Sequence, residues 1–148
     1  MKSSTRLGMV GMGIACLPLV ACGRPSVSEE AGSRAVKVEH IEGSDLSRVT
    51  VTELAAKRLD IQTAVVRTVL VRGTLRKVIP YAAILYDTEG RTWAYTMAAP
   101  LTFVRSPVSV DYIEGDVAVL TEGPAVGVAV VTVGAAELYG SEEEFEEE

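Results

Sequence analysis

Asp87-Thr88-Glu89-Gly90-Arg91-Thr92-Trp93-Ala94-Tyr95-Thr96-Met97 is the stretch on which the reading of the fold turns. Asp87 to Gly90 has the composition of a tight turn, with Gly90 free to take a positive φ. From Thr92 to Met97 small residues alternate with large ones, the period of two expected of a strand with one face on a core. The pair of features predicts a β-hairpin.

Working upstream, Ala82 to Tyr86 supplies the first arm, and Pro80 breaks or edges the strand before it. Leu75 to Ile79 and the β-branched run Val65 to Val71 predict two more strands, parted at Gly73. Val49 to Thr52 is another β-branched segment. Thr52 is placed to cap a short helix from Glu53 to about Leu59, with Glu53 in its first turn and Lys57-Arg58 in its last, the order that suits the helix dipole. Downstream, Ala99-Pro100 turns the chain and Thr102 to Val110 runs back, with Pro107 at an edge or a bulge. Glu114-Gly115-Asp116 and Thr121-Glu122-Gly123-Pro124 are turns around Val117 to Leu120, and Ala129 to Val133 is a last apolar strand. Turns every eight to twelve residues predict a mainly β fold: a small antiparallel β-roll, barrel or sandwich with one short helix.

The N-terminus has a different character. Lys2 and Arg6 precede an apolar or small-residue run from Leu7 to Ala21, and no acid occurs before Glu29. The run is too short for a helix across a ~30 Å hydrocarbon core and suits a secretory signal. It ends in Leu19-Val20-Ala21-Cys22, which resembles the lipobox of bacterial lipoproteins. That resemblance implies diacylglycerol on the Cys22 thiol, cleavage before it, and anchoring on the extracytoplasmic side of a bacterial membrane. The expected organisation is a signal peptide over 1–21, a flexible tether over 22–45, a β-domain over 46–140 and a disordered acidic tail over 141–148.

Cys16 and Cys22 are the only cysteines. With one removed and one lipidated, no disulfide is expected, so the domain must rest on its apolar core. Residues 22–148 carry twelve basic against twenty acidic side chains, a net −8, of which six acids lie within Glu142–Glu148. The acidity therefore belongs to the end of the chain, where like charges repel. No cluster of Lys and Arg suits a nucleic-acid backbone, and no nucleic-acid partner is expected.

Ile79-Pro80, Ala82-Ala83-Ile84, Thr92-Trp93-Ala94-Tyr95, Val104 to Val110, and then Gly123, Gly127, Val130-Val131, Gly134 and Leu138 form an ordered set. Over residues 78–140 it resembles the membrane-proximal C-terminal domain of periplasmic adaptor subunits, or membrane fusion proteins, of efflux systems. Val51-Thr52-Glu53 to Leu59-Asp60-Ile61-Gln62-Thr63 resembles the stretch leading into their first β segment. Full adaptors also carry a lipoyl-like domain and an α-helical hairpin, for which this chain has neither pattern nor room. The resemblance implies a membrane-anchored, adaptor-like accessory component of an export system that docks on a transporter subunit. The alternative is a free-standing lipoprotein whose β-domain binds a small ligand or a cell-envelope component.

Catalytic chemistry has little material. His40 is the only histidine and falls in the expected tether, so a Ser–His or Cys–His pair would depend on it. Asp111, Glu114 and Asp116 crowd one turn and read as solvated loop ends. Met97 is the only methionine after residue 21, and one thioether does not make a soft-metal site; it reads as a packing residue. Trp93, Tyr95 and Phe103 read as core anchors, with a ligand-binding aromatic wall as the competing reading. No catalytic residue, metal or cofactor is expected, and the chain is not read as an enzyme.

Overall fold

The computed structural model describes residues 34–146. Among them the β-branched runs form β1 (Val36–His40), β2 (Ser47–Val51), β3 (Gln62–Val65), β4 (Arg67–Val71), β5 (Thr74–Pro80), β6 (Leu85–Tyr86), β7 (Thr92–Ala99), β8 (Thr102–Pro107), β9 (Ser109–Glu114), β10 (Val117–Glu122) and β11 (Ala129–Val133). Two helices accompany them, α1 (Glu53–Arg58) and α2 (Ala135–Glu146). Every ladder is antiparallel. The first sheet has the order β1-β2-β8-β7-β11-β3, with β6 against the start of β7, and the second has the order β4-β5-β10-β9. The architecture is a sandwich of two open sheets and not a closed barrel.

Two of the long runs read from sequence each serve both sheets. Between β3 and β4 the chain crosses at Val66, whose N–H donates to the Val128 carbonyl at 2.8 Å. Between β8 and β9 it crosses at Val108, whose N–H donates to the Thr92 carbonyl at 3.1 Å. Both corner valines are buried and join Ile79, Ala83, Ala94, Ala118, Leu120 and Val130 in the core between the sheets. Strands that bend at a corner in this way pass from one layer of a sandwich to the other.

The opposite face of the first sheet holds a second core: Val49, Val51, Ala55, Tyr95, Phe103, Val131 and Leu138. Successive side chains on a strand point to opposite faces. Ala94 and Val130 thus face the second sheet, while their neighbours Tyr95 and Val131 face the helices. The middle of β7 is buried on both sides, not half-buried. Each large apolar side chain fully buried here contributes about 1.5–3 kcal/mol through removal from water.

The short helix lies where Thr52 predicts it. Thr52 Oγ1 accepts a hydrogen bond from the Ala55 N–H at 3.2 Å, and Lys57 and Arg58 occupy the last turn. The strand after Gly73 runs through Pro80, and a 3-10 turn at Tyr81–Ala83 precedes the two-residue β6.

The expected organisation needs correcting at both ends of the domain. Residues 36–45, assigned to the tether, belong to the fold: β1 pairs with β2 from Val36↔Val51 to His40↔Ser47. The reason is alternation, because Val36 and Val38 pack on the helix-side core while Lys37 and Glu39 point outward and pair at 2.8 Å. The acidic segment from Ser141 is helical through Glu146 and not a disordered tail. One of its carboxylates, that of Glu142, is fully buried and neutralised, which relieves the repulsion expected of the run. A second helix therefore joins the single one expected. The signal segment over 1–21 and the start of the tether lie outside the described residues.

Candidate functional site

Cys22, the lipidation candidate, lies outside the described residues. His40 ends β1 and is exposed. Met97 is 40% exposed on β7, so it is not the packing residue its apolar character suggests. Tyr95 and Phe103 are buried in the helix-side core, whereas Trp93 is half-buried at the rim. Among the described residues no three His, Cys, Asp or Glu side chains converge as a metal site requires. No helix among them is long and apolar enough to cross a membrane.

Two polar centres that sequence reading missed organise the rim. In the first, the buried Glu142 carboxylate accepts from Tyr95 Oη at 2.5 Å, Arg105 Nε at 3.1 Å, Arg105 Nη2 at 3.0 Å and the Ser47 N–H at 3.3 Å. Burial, and then the bond to this carboxylate, push the Tyr95 hydroxyl well above the usual phenol range. The Arg105 guanidinium lies 5.2 Å from both the Trp93 and Tyr139 ring centres, a cation between two aromatic faces. Ser47 Oγ is buried beside it without a hydrogen-bond partner.

In the second centre, the Asp87 carboxylate caps its own hairpin. It accepts from the Glu89 and Arg91 N–H groups at 3.0 and 2.8 Å, from Arg91 Nε at 2.7 Å and from Trp93 Nε1 at 2.9 Å. Burial works to raise this carboxyl, but the bonds from Trp93, Arg91 and Glu89 outweigh it and hold the group well below the usual carboxylate range. Both centres bind protein to protein, and their acceptors are spent on that. The cleft beside Trp93 is open, with Asp45, Arg91 and Arg105 in its walls. Leu46, Trp93 and Pro107 make its lining more apolar than polar, but it stands half open to solvent and does not enclose a ligand.

Asp111 and Glu114 are likewise consumed, each by an arginine from the β4–β5 hairpin. Arg76 Nη2 lies 2.6 Å from the Asp111 carboxylate, and Arg72 Nε lies 3.3 Å from that of Glu114. The two guanidinium groups sit over the Tyr112 ring, at 4.5 Å for Arg72 and 5.8 Å for Arg76. Asp116 contributes its backbone carbonyl to the Tyr81 N–H. The acidic cluster of the sequence is therefore a clamp that draws the hairpin tip onto β9, with no geometry for paired acid–base work.

What this clamp holds in place is apolar. Arg72 and Gly73 form a two-residue turn with φ of 50° and 82°, the paired positive values of a type I′ hairpin. Leu70 and Leu75 are cross-strand partners beside it, 69% and 68% exposed, the most exposed large apolar side chains among the described residues. Leu75 shares a face with the core residue Ile79, since both are odd positions of the unshifted strand β5. Lys77 stands between them on that face, opposite Thr68, so the exposed leucine pair at the tip is separated from the core by a polar pair.

No family model matches this chain, and no curated protein matches it significantly. Among solved structures it is similar to an NMR structure of 180 residues of SilB from Cupriavidus metallidurans CH34, encompassing the N-terminal metal-binding site and the membrane-proximal domain. The identity is 25% and the TM-score 0.45. The match takes in 56% of this chain and 48% of that one, so it spans about half the length of that structure.

Proposed function

We propose that this chain is a lipoprotein, anchored through Cys22 on the extracytoplasmic side of a bacterial membrane. There it serves as a non-enzymatic, adaptor-like accessory component of a transmembrane export or efflux system. It acts by docking. The observation that carries this reading is the β4–β5 hairpin: two solvent-facing leucines on a tip clamped by Arg72, Tyr112 and Glu114. A preorganised apolar tip loses little freedom on binding, which suits a contact surface. The ordered resemblance over residues 78–140 supports the same class. The ligand-binding alternative draws less support, because the cleft beside Trp93 is open to solvent and does not enclose a ligand.

Anchoring makes weak docking sufficient. A short linker holds an attached domain at an effective concentration of about 1 mM toward a neighbour in the same membrane. The test pairs two changes. Cys22→Ser should release the protein from membranes and abolish its function although the domain still folds. A photo-crosslinker replacing Leu75 should capture a membrane transport subunit in native membranes. The reading fails if Cys22→Ser keeps the wild-type mass and detergent partitioning, or if position 75 captures no transport protein.

A further inference from the structure

We infer that the tip of the β4–β5 hairpin enters an anionic lipid surface, with Leu70 and Leu75 among the acyl chains and its basic residues at the phosphates. The inference goes beyond the docking reading, which asks only for a weak protein contact.

Charge is segregated along this chain. Residues 22–148 carry a net −8, yet residues 61–86 hold Arg67, Arg72, Arg76 and Lys77 and no acid. The carboxylates paired with this hairpin are those of Asp111, on Arg76, and Glu114, on Arg72. Four basic residues less these two acids leave the clamped hairpin at +2. Arg67, at the start of β4, is exposed and forms no ion pair among the described residues. Arg72 stands in the turn with its side chain 68% exposed, and its contact with Glu114 is 3.3 Å through Nε. A guanidinium has five N–H donors, so that one long contact leaves donors for a phosphate. Apolar residues set among basic ones are the composition of a membrane-surface element.

Size and spacing point the same way. Leu70 and Leu75 are one cross-strand pair next to the turn pair Val71↔Thr74. Two leucines offer a few hundred Å² at most, well short of the ~1,000 Å² that a stable protein interface buries. Acyl chains take a small apolar tip without a matching socket. The next pair along the hairpin, Thr68↔Lys77, is polar. Lys77 Nζ donates to the Gly123 carbonyl at 3.1 Å, and an ammonium has two further donors. Two residues of strand span about 7 Å. A hairpin inserted tip first, with Lys77 at the phosphates, therefore carries Leu75 to the depth of about 5–10 Å at which interfacial apolar residues lie. The clamp already holds the tip in shape, so insertion has little left to order. Lipid on Cys22 confines the domain to the membrane, and the tip then orients it there.

The test takes the full chain as purified from membranes and reconstitutes it into protein-free vesicles, of phosphatidylcholine alone or mixed with phosphatidylglycerol. A dye is attached at Leu75→Cys or, for comparison, at Leu54→Cys on α1, where the leucine is 57% exposed. Wild type treated in parallel reports any dye on Cys16 or Cys22. On the mixed vesicles a quencher carried on the acyl chains should dim position 75 about threefold more than position 54, and on phosphatidylcholine alone by no more than half of that. Arg67→Gln, outside the clamp, should shift the mixed-vesicle equilibrium about fivefold toward the unquenched state, the worth of one basic residue at an anionic surface. Leu70→Asp added to Leu75→Cys should abolish the quenching. The inference is overturned if position 75 is quenched no more than position 54, if anionic lipid makes no difference, or if Leu70→Asp leaves the quenching intact. Capture of a transport subunit at position 75 in native membranes leaves the docking reading standing in each of those cases. Quenching of position 75 on the mixed vesicles without such capture supports lipid insertion and removes the docking reading instead.

Discussion

Glu142 concentrates the residue-scale physics of this protein. A carboxylate with no exposure is tolerable only because Arg105, Tyr95 and the Ser47 N–H supply its hydrogen bonds. Removing one partner of a buried pair strands the other charge and costs about 3–5 kcal/mol, whereas replacing both with apolar residues is close to neutral. Glu142→Ala should therefore lower Tm by on the order of 10–20 °C. The double variant Arg105→Met with Glu142→Leu should recover most of that loss in a thermal melt. If the single variant melts within a few degrees of wild type, the carboxylate does not hold the helix. Nothing in the sequence marks this glutamate among its acidic neighbours, because its partners lie 37, 47 and 95 positions away.

At the scale of elements, the junction from β11 into α2 depends on Gly134. Its φ is +90°, and an added Cβ would lie 2.9 Å from Ile61 Cγ1 and 3.5 Å from the Leu59 carbonyl. Gly43 also has a positive φ, +78°, but an added Cβ there meets nothing within 4 Å. Gly134→Ala should cost about 2–4 kcal/mol, combining backbone strain with a clash against the Ile61 side chain. Gly43→Ala should cost only about 1 kcal/mol from strain alone. Urea denaturation of the two variants compares them, and equal losses would mean that the contact with Ile61 is unimportant. The glycine was legible in the sequence as part of a spaced set. That it sits against Ile61 was not, since this depends on how α1 packs.

For the whole molecule, the first sheet is shared by two cores, so neither layer can leave without exposing the other. Trp93 emission and far-ultraviolet circular dichroism should report one coincident urea transition, as cooperative single domains show. Both cysteines precede residue 34, so reductant and chelator should leave the midpoint unchanged. Separate midpoints for the two probes would show that the helical layer unfolds on its own.

Local physics was readable along the chain. β-branched runs, turn glycines and the Thr52 cap act over a few residues, and they determined the β class, the first helix and the strands at 49–51, 67–71, 75–79, 92–97, 102–107, 117–120 and 129–133. Tertiary contacts decided the rest. Whether a run such as 65–71 or 102–110 is one strand or two depends on a second sheet for Val66 and Val108 to bend toward. The alternating Val36 and Val38 form a strand because β2 lies beside them. The acidic end is a helix because Arg105, distant in sequence, neutralises the one carboxylate that faces inward. Burial, edge pairing and ion pairing are properties of neighbours in space, and a sequence read position by position holds only its neighbours in the chain.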